Sequence, residues 1–202
     1  MITASKSQLE RYIPRLFIGA GLLGLLAAFQ ITVDHMHQLS DPNFVPACSI
    51  NPVISCGTIM NSHQASAFGF SNTLLGLMGF AALVAVGVGL LAGARYARWF
   101  WRGLYAGITG GIVFIHWLMY QAIFSIHALC LWCILCWIIM IPLYLYTSLY
   151  VVGAGYVAVP KPVAAAISSL RRYHFVYLGL WYFVITATVI SQFWASYFHT
   201  IL

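Results

Sequence analysis

Charged residues are scarce in this chain. They make up 6% of its 202 residues and only three are acidic, whereas 62% of the residues are hydrophobic and the mean hydropathy is +0.92. Ordinary soluble domains carry about 25% charged residues, so this composition excludes a soluble globular domain. The sequence also lacks an evident internal repeat, a nucleotide-binding loop, a catalytic triad and the small-residue cleavage site of a signal peptide.

Five long apolar runs take up most of the chain instead. A hydrocarbon core about 30 Å thick is crossed by a helix of about 20 apolar residues, and each run reaches that length. We therefore predict an all-α membrane protein in which four transmembrane helices form a bundle and a fifth is added at its periphery. The predicted spans are residues 13–33, 72–93, 103–124, 128–150 and 173–197.

The basic residues orient these spans. All nine lie in three clusters that alternating spans put on one side of the membrane: Lys6, Arg11 and Arg15; Arg95, Arg98 and Arg102; and Lys161, Arg171 and Arg172. Because Lys and Arg are retained on the cytoplasmic side, we expect a cytoplasmic N-terminus, and an extracytoplasmic C-terminus and outer segment (34–71). The net charge of +6 is interpreted as orientation and contact with anionic lipid, and not as nucleic-acid binding.

Four of the five cysteines fall on the outer side of this predicted topology. Cys48 and Cys56 belong to the outer segment, and Cys130 and Cys133 occupy the first turns of the fourth span, in the stretch HALCLWCILCW. Disulfides persist in oxidising extracytoplasmic compartments. The two pairs are distant in sequence but lie at the same predicted membrane depth, so they can meet in space.

The spacing of Cys130 and Cys133 suits thiol–disulfide chemistry at the start of a helix. Residues three apart share one face of a helix, so their sulfurs can bond to each other. Free N–H groups and the positive end of the helix dipole stabilise a thiolate there, and the thiolate is the attacking species. A structural disulfide or two buried apolar cysteines are the alternatives, and a second pair on the same side weakens both.

Cys136 continues the series at steps of three, but about 4.5 Å deeper than Cys133. We predict that it is a small buried residue packed on a neighbouring helix. A metal site made by these thiols with His127, or by the polar residues 34–37, is the alternative, although three ligands on one continuous helix rarely converge on an ion. His116 lies within the third span, where an imidazole is either functional or, more ordinarily, neutral and hydrogen-bonded to another helix.

The outer segment carries a second set of features. The Asn-Pro step at Asn51, between its two cysteines, predicts a turn. Small and apolar residues at helical spacing predict a short interfacial helix within 57–67, with Ser55 as its cap. Such a helix would cover the outer end of the bundle and hold Cys56 over the CxxC pair of the fourth span.

In their order along the chain, four features resemble the vitamin K epoxide reductase family. They are Cys48-x7-Cys56, Ser62 six residues later, the Asn72-Thr-Leu-Leu-Gly76 start of the second span and the Cys130-Leu-Trp-Cys133 start of the fourth. The resemblance covers about residues 13–150. It implies a four-helix catalytic core over residues 1–150, including the outer segment, and a cytoplasmic connection with a fifth helix over 151–202. This five-span layout is similar to that of bacterial members, which oxidise thiols with a quinone.

The resemblance implies a role for particular residues. Cys48 and Cys56 would exchange disulfides with a thioredoxin-like protein, and Cys48 would be the point of entry. Cys56 would then pass the electrons to Cys130 through a transient mixed disulfide. Cys133, one turn deeper, would face the quinone. The implied quinone-binding set is Asn72, which would hydrogen-bond a quinone oxygen, Ser62, Met60, Trp137 and Cys133.

The chain departs from the family at one position, and one question stays open within the resemblance. Trp137 stands where animal members carry a tyrosine, so no tyrosine hydroxyl acts there. The resting bridge is Cys48–Cys56, Cys56–Cys130 or Cys130–Cys133, and the sequence does not choose among them.

The implied roles describe a quinone-dependent thiol oxidase. We expect it in a bacterial plasma membrane, where it would generate disulfides for extracytoplasmic proteins with ubiquinone, menaquinone or another quinone of the vitamin K type. No thioredoxin-like domain follows the fifth span, so the expected partner is a separate extracytoplasmic protein. The alternatives are a quinone or quinone-epoxide reductase with a dedicated redox partner, and a non-enzymatic membrane protein that handles metal.

Overall fold

The computed structural model describes residues 6–41 and 43–201. Within these residues the chain is helical and contains no β-strand, so the predicted all-α fold is confirmed. The α-helices are α1 (Lys6–Ser40), α2 (Cys56–Met60), α3 (Asn72–Leu91), α4 (Arg98–Gln121), α5 (Leu131–Gly153), α6 (Lys161–Arg172) and α7 (His174–Ile201).

The five longest helices, α1, α3, α4, α5 and α7, correspond to the five apolar runs. Each is long and apolar enough to cross a membrane. Helix α6 lies in the connection between the fourth and fifth spans, where no helix was predicted. The chain is therefore a multi-pass helical membrane protein, and two further α-helices of its described part, α2 and α6, lie outside the spans.

Helix α1 is longer than predicted. It has 35 residues, which corresponds to about 50 Å at 1.5 Å per residue, and it continues seven residues beyond the expected end at residue 33. The helix ends just before the Asp41-Pro42 step, because a proline disfavours the helical conformation of the residue before it. The prediction that the first span ends at residue 33 is therefore wrong. Asp34 lies within a helix.

Glycines allow α1 and α3 to approach closely. A Cβ atom on Gly21 would lie 3.0 Å from the carbonyl oxygen of Phe80, and one on Gly87 would lie 2.9 Å from the carbonyl oxygen of Pro14. Small residues at such crossings let membrane helices pack backbone against backbone, which favours their association by van der Waals contact. Helix α1 also packs against α5, and α5 packs against α4.

Helix α5 is the central helix of the bundle and α7 lies at its edge. Of the apolar part of each helix, 56% is buried in α5 and only 6% in α7. Polar contacts of α7 nevertheless reach the bundle. Trp181 Nε1 donates to His116 Nε2 over 3.0 Å, and the Tyr182 hydroxyl donates to the carbonyl oxygen of Ile138 over 2.6 Å. A further contact joins Tyr146 to His174.

The contact with Trp181 fixes the state of His116. An indole N–H only donates, so Nε2 of His116 accepts and carries no proton. The proton is then on Nδ1, which lies 2.8 Å from the carbonyl oxygen of Ile112 and donates to it. His116 is therefore a neutral imidazole that joins α4 to α7, which is the ordinary interpretation of a histidine in a span.

The connections at the basic end of the bundle contact each other. Arg102 Nε donates to the carbonyl oxygen of Tyr156 over 2.8 Å, and the ring of Trp101 stacks on that of Tyr156 with centroids 5.5 Å apart. The α3–α4 and α5–α6 connections thus lie at the same end of the molecule. The CxxC cysteines begin α5 at the opposite end.

Candidate redox site

The chain between α4 and α5 makes an unusual turn. After Gln121 one turn of π-helix spans Ala122–Ile126, and His127 then adopts a left-handed conformation with φ of 56°. Few residues other than glycine adopt this conformation, and π turns are frequent near functional sites. This turn directs the next residues, Ala128 and Leu129, toward the outer segment.

A pair of backbone hydrogen bonds joins the outer segment to the start of α5. The N–H of Leu129 donates to the carbonyl of Val53 over 2.7 Å, and the N–H of Ser55 donates to the carbonyl of Leu129 over 2.9 Å. They form an isolated parallel bridge, in which the residues that follow on each side lie next to each other. The bridged pair is Ile54 and Leu129, so the residues that follow are Ser55 and Cys130, and Cys56 comes directly after Ser55. The bridge therefore brings the two cysteine pairs together.

Asn51 shapes the loop that enters this bridge. Its side-chain oxygen accepts hydrogen bonds from the N–H groups of Val53, over 3.0 Å, and Ile54, over 2.7 Å. Such side-chain turns are characteristic of asparagine. The turn predicted at the Asn-Pro step is confirmed, and it presents Val53 and Ser55 to Leu129.

The predicted interfacial helix is present only in part. Ser55 caps α2, as expected, by accepting a hydrogen bond from the N–H of Thr58. The helix ends at Met60, however, and a separate 3-10 turn follows at His63–Ser66. The prediction of one helix within 57–67 is wrong because the Ser62 hydroxyl donates to the carbonyl of Ile59 and takes the place of a helical backbone bond.

The cysteines are in two redox states. Cys48 and Cys56 form a disulfide with Cα atoms 5.7 Å apart, and Cys130, Cys133 and Cys136 are free thiols. Of the three resting bridges left open by the sequence, the structure contains the first. Cys48, Cys56 and Cys130 belong to one buried cluster that also contains Ile31 and Met60. We call it the cysteine cluster.

The environment of Cys130 favours its thiolate. Cys130 is the residue directly before the first turn of α5. The Cys133 thiol, followed by the backbone N–H groups of Cys133 and Trp132, lowers the pKa of Cys130, although burial and the negative charge of Asp34 act in the opposite direction. The CxxC pair therefore has a reactive member at the helix start, as its spacing predicts.

The geometry of two cysteine pairs at one end of a helical bundle agrees with a sequence-family comparison. The model of the vitamin K epoxide reductase family matches residues 15–148. The chain belongs to this family. It is therefore a membrane oxidoreductase of quinone-linked thiol chemistry. No curated protein matches the chain.

The surroundings of Cys133 fit the quinone that the vitamin K epoxide reductase family implies. Cys133 packs against the cysteine cluster on one side and against a second apolar cluster on the other. The buried members of this second cluster, the Trp137 cluster, are Met119, Ala122, Ile123, Leu129, Trp137 and Phe193. Apolar and aromatic side chains with a few polar groups are typical of sites that bind such rings. Met60 lies in the first cluster and Trp137 in the second.

The two polar residues of the implied quinone set are bonded to the outer segment. Asn72, the first residue of α3, donates from Nδ2 to the carbonyl of Gln64 over 2.6 Å and accepts at Oδ1 from the N–H of Ala67 over 3.2 Å. A side-chain amide carries two N–H bonds, so one donor remains on Asn72. The Ser62 hydroxyl donates its hydrogen bond to the carbonyl oxygen of Ile59. Contact of Asn72 and Ser62 with a quinone stays a prediction.

Two features of the site were missed by reasoning from the sequence. One is the bridge at Leu129, which leaves no side-chain signal because it is made by backbone atoms. The other is the burial of Asp34, which is 7% exposed and accepts a hydrogen bond from Gln30. Its position three residues after Ile31, on the same helical face, is the signal that was available.

The metal interpretation gains no structural support. In the part of the chain that the structure describes, no group of three or more His, Cys, Asp or Glu side chains is arranged to hold an ion. Cys136 instead packs at the edge of the main apolar core and is only partly buried there, so the prediction of a buried residue is wrong in its degree of burial.

Proposed function

We propose that this protein is a thiol oxidase that passes electrons from a thioredoxin-like protein through two cysteine pairs to a quinone. The observation that carries the proposal is the backbone bridge at Leu129, which holds a disulfide and a reactive thiol pair in one buried cluster. The outer pair is oxidised and the inner pair is reduced. This is the state expected after two electrons have reached the inner pair.

Electrons enter at Cys48. Cys48 is 8% exposed and Cys56 is fully buried, so an attacking thiolate from another protein meets Cys48 first. Its attack forms a mixed disulfide with Cys48 and releases Cys56 as a thiolate. A second thiol of the partner then resolves the mixed disulfide, which leaves the partner oxidised and the outer pair reduced.

Cys56 passes the electrons inward. Its thiolate attacks Cys130 of an oxidised inner pair, and Cys133 leaves as a thiolate. Cys48 then attacks Cys56, so the outer disulfide forms again and Cys130 leaves. The bridge between Ser55 and Leu129 supports this step because it keeps the two sulfurs within one buried cluster.

The inner pair delivers the electrons at Cys133. A quinone, when bound, accepts two electrons and two protons, which are those that a dithiol loses when it forms a disulfide. Cys133 lies between the cysteine cluster and the Trp137 cluster, where Trp137 and Met119 offer an apolar surface for a ring. The free N–H of Asn72 would orient a carbonyl oxygen of the quinone, and Ser62 would position the part of the outer segment beside Asn72.

The topology of the membrane protein follows from its charges. The three basic clusters favour a cytoplasmic N-terminus, so the cysteine pairs would face the extracytoplasmic side of a bacterial plasma membrane. A separate thioredoxin-like protein in that compartment would supply the electrons and leave as the carrier of a new disulfide. Ubiquinone and menaquinone both meet the chemical requirement for an acceptor.

The Cys133→Ala variant tests the proposed function. Reconstituted protein is given reduced thioredoxin as electron donor and either a ubiquinone or a menaquinone analogue as acceptor. We expect the variant to lose quinone reduction by at least about 10³-fold, because a reacting atom is absent. The Cys136→Ser variant is the matched control and should keep its rate.

Two results would contradict this function. One is quinone reduction that persists undiminished in the Cys133→Ala variant. The other is quinone consumption by the wild-type protein without accumulation of oxidised thioredoxin, which would favour a reductase with a different electron donor.

A further inference from the structure

Asp34 lies beside the cysteine cluster. It is in the outer part of α1 and is 7% exposed. Ile31, one turn earlier on the same face, is a member of the cluster that contains Cys56 and Cys130. A buried carboxyl group therefore lies one turn along α1 from a residue of the cysteine cluster.

The next turn of α1 reaches the outer cysteine pair. Gln38, four residues after Asp34, approaches the start of α2 so closely that a Cβ atom on Gly57 would lie 3.0 Å from Gln38 Nε2. Gly57 follows Cys56 directly. The face of α1 from Ile31 to Gln38 thus runs from the cysteine cluster to the start of α2, and Asp34 is in the middle of it.

Asp34 has no cationic partner among the described residues. The Gln30 side chain donates one hydrogen bond to its Oδ1 over 3.0 Å. Burial of a carboxylate without a paired charge is unfavourable, so a protein retains such a group mainly where its charge or its proton is used. The outer disulfide and the CxxC pair are the reactive groups nearest to it in the fold.

We propose that Asp34 carries a proton between the two cysteine pairs during disulfide exchange. This inference rests on the proposed function. Cys56 must lose its thiol proton to attack Cys130, and the inner cysteines must gain protons as they leave. Asp34 takes the proton that the outer pair releases and returns it to Cys130. Of the two protons that the outer pair releases, Asp34 carries the one that goes to Cys130, and the one that Cys133 takes up is exchanged with solvent. The electrons move through the disulfide bonds, so no further oxidant is needed.

The electrostatics of the site support this direction of transfer. The negative charge of Asp34 raises the pKa of Cys130, against the stronger lowering by the Cys133 thiol. A charged Asp34 therefore favours return of the proton to Cys130. The titratable groups in the outer part of the helices around it are Cys130, Cys133 and Cys136 at the start of α5, the disulfide-bonded Cys56 on α2, and His35 and His37 on α1; α3 has none, and the remaining tyrosines and charged residues of α1 and α5 lie toward the basic end.

The experiment separates the two half-reactions of the full-length protein. In the first, protein with both pairs oxidised is mixed with reduced thioredoxin, and the bridges are trapped by alkylation and mapped by mass. In the second, prereduced protein is mixed with a menaquinone analogue and formation of the Cys130–Cys133 bridge is followed. Both are run from acidic to alkaline pH on wild-type protein and on the Asp34→Asn, Asp34→Glu and Asp41→Asn variants. Asp41 is an exposed carboxyl at the end of the same helix.

We expect the Asp34→Asn variant to slow transfer between the pairs by about 10²-fold, the usual contribution of a positioned acid or base. Reaction with the quinone should keep its wild-type rate. Asp34→Glu should restore transfer at least partly, and Asp41→Asn should change neither half-reaction.

Several outcomes would overturn the role of Asp34. Transfer in the Asp34→Asn variant that equals wild type at every pH would do so while leaving the proposed function intact. A variant that slows both half-reactions, with no recovery in Asp34→Glu, would show a purely structural residue. Failure of the wild-type protein to transfer electrons at all would instead reject the proposed function.

Discussion

Two cysteines of one motif occupy different surroundings. Cys130 precedes the first turn of α5 and faces the cysteine cluster, whereas Cys133 is one turn deeper and also contacts the Trp137 cluster. The position before the helix leaves backbone N–H groups free to stabilise a negative charge at Cys130. The asymmetry suits a pair in which one sulfur exchanges with a disulfide and the other reacts with an apolar molecule.

This asymmetry predicts how Cys130 titrates. The Cys133 thiol is the largest influence that lowers the pKa of Cys130, so the Cys133→Ala variant should raise it. In fully reduced protein, the pH midpoint for iodoacetamide modification of Cys130, followed peptide by peptide in mass spectra, should move upward in this variant. Cys136→Ser should leave the midpoint unchanged. A midpoint that stays constant or falls in Cys133→Ala would refute this account.

At the scale of residues, the sequence predicted the positions of the reactive cysteines better than it predicted the residues that surround them. The spacing of Cys130 and Cys133 predicts a pair at a helix start, because this depends only on helical periodicity. The hydrogen bonds of Asn72 depend on the path of the outer segment, which no local pattern specifies. The burial of Asp34 was missed because α1 was expected to end before it.

Among the elements, the bridge between the outer segment and Leu129 has the clearest functional consequence. Two backbone hydrogen bonds replace what would otherwise be a free loop above the bundle. The Asn51 side chain sets the turn that makes them possible. The cysteine pairs are thus held in register by residues that take no part in the chemistry.

Removal of the Asn51 side chain should move the two cysteine pairs apart and leave the cysteines themselves unaltered. The Asn51→Ala variant loses two hydrogen bonds worth about 1 kcal/mol each, which would slow transfer from the outer to the inner pair by about tenfold or more. Rapid mixing with reduced thioredoxin measures this rate. Asn43→Ala, at an exposed position of the same segment, is the control. Equal rates in the two variants would show that the turn does not matter.

The elements were predictable to the extent that apolar periodicity defines them. All five long helices correspond to apolar runs, but their ends do not, since α1 continues through polar residues up to the Asp41-Pro42 step. Helix α6 was missed because it is not an apolar run. Helix α2 is shorter than expected because the Ser62 side chain competes with the backbone.

At the scale of the whole molecule, the bundle has one basic end and one sulfur end. Contacts between Arg102 and Tyr156 join two of the basic connections, while α5 carries its cysteines at the other end. The charge asymmetry and the fold agree with each other. This agreement supports a single orientation in the membrane.

Labelling of intact cells tests that orientation. A membrane-impermeant maleimide should modify the Asp41→Cys variant, at an exposed position of the outer segment, without any permeabilisation. The Ala94→Cys variant, exposed between α3 and α4, should react only after the membrane is opened. The unmodified sequence provides the background, because its cysteines near the outer surface are buried or disulfide-bonded. The reverse pattern would invert the topology.

The graded burial of the sulfur atoms also protects the chemistry from side reactions. Cys48 is 8% exposed, Cys130 1% and Cys56 not at all. Oxidation of a thiolate to sulfenic and higher acids requires access by peroxide, so burial shields the sulfurs of Cys56 and Cys130. Hydrogen peroxide therefore reaches these two sulfurs less readily than that of the half-buried Cys133.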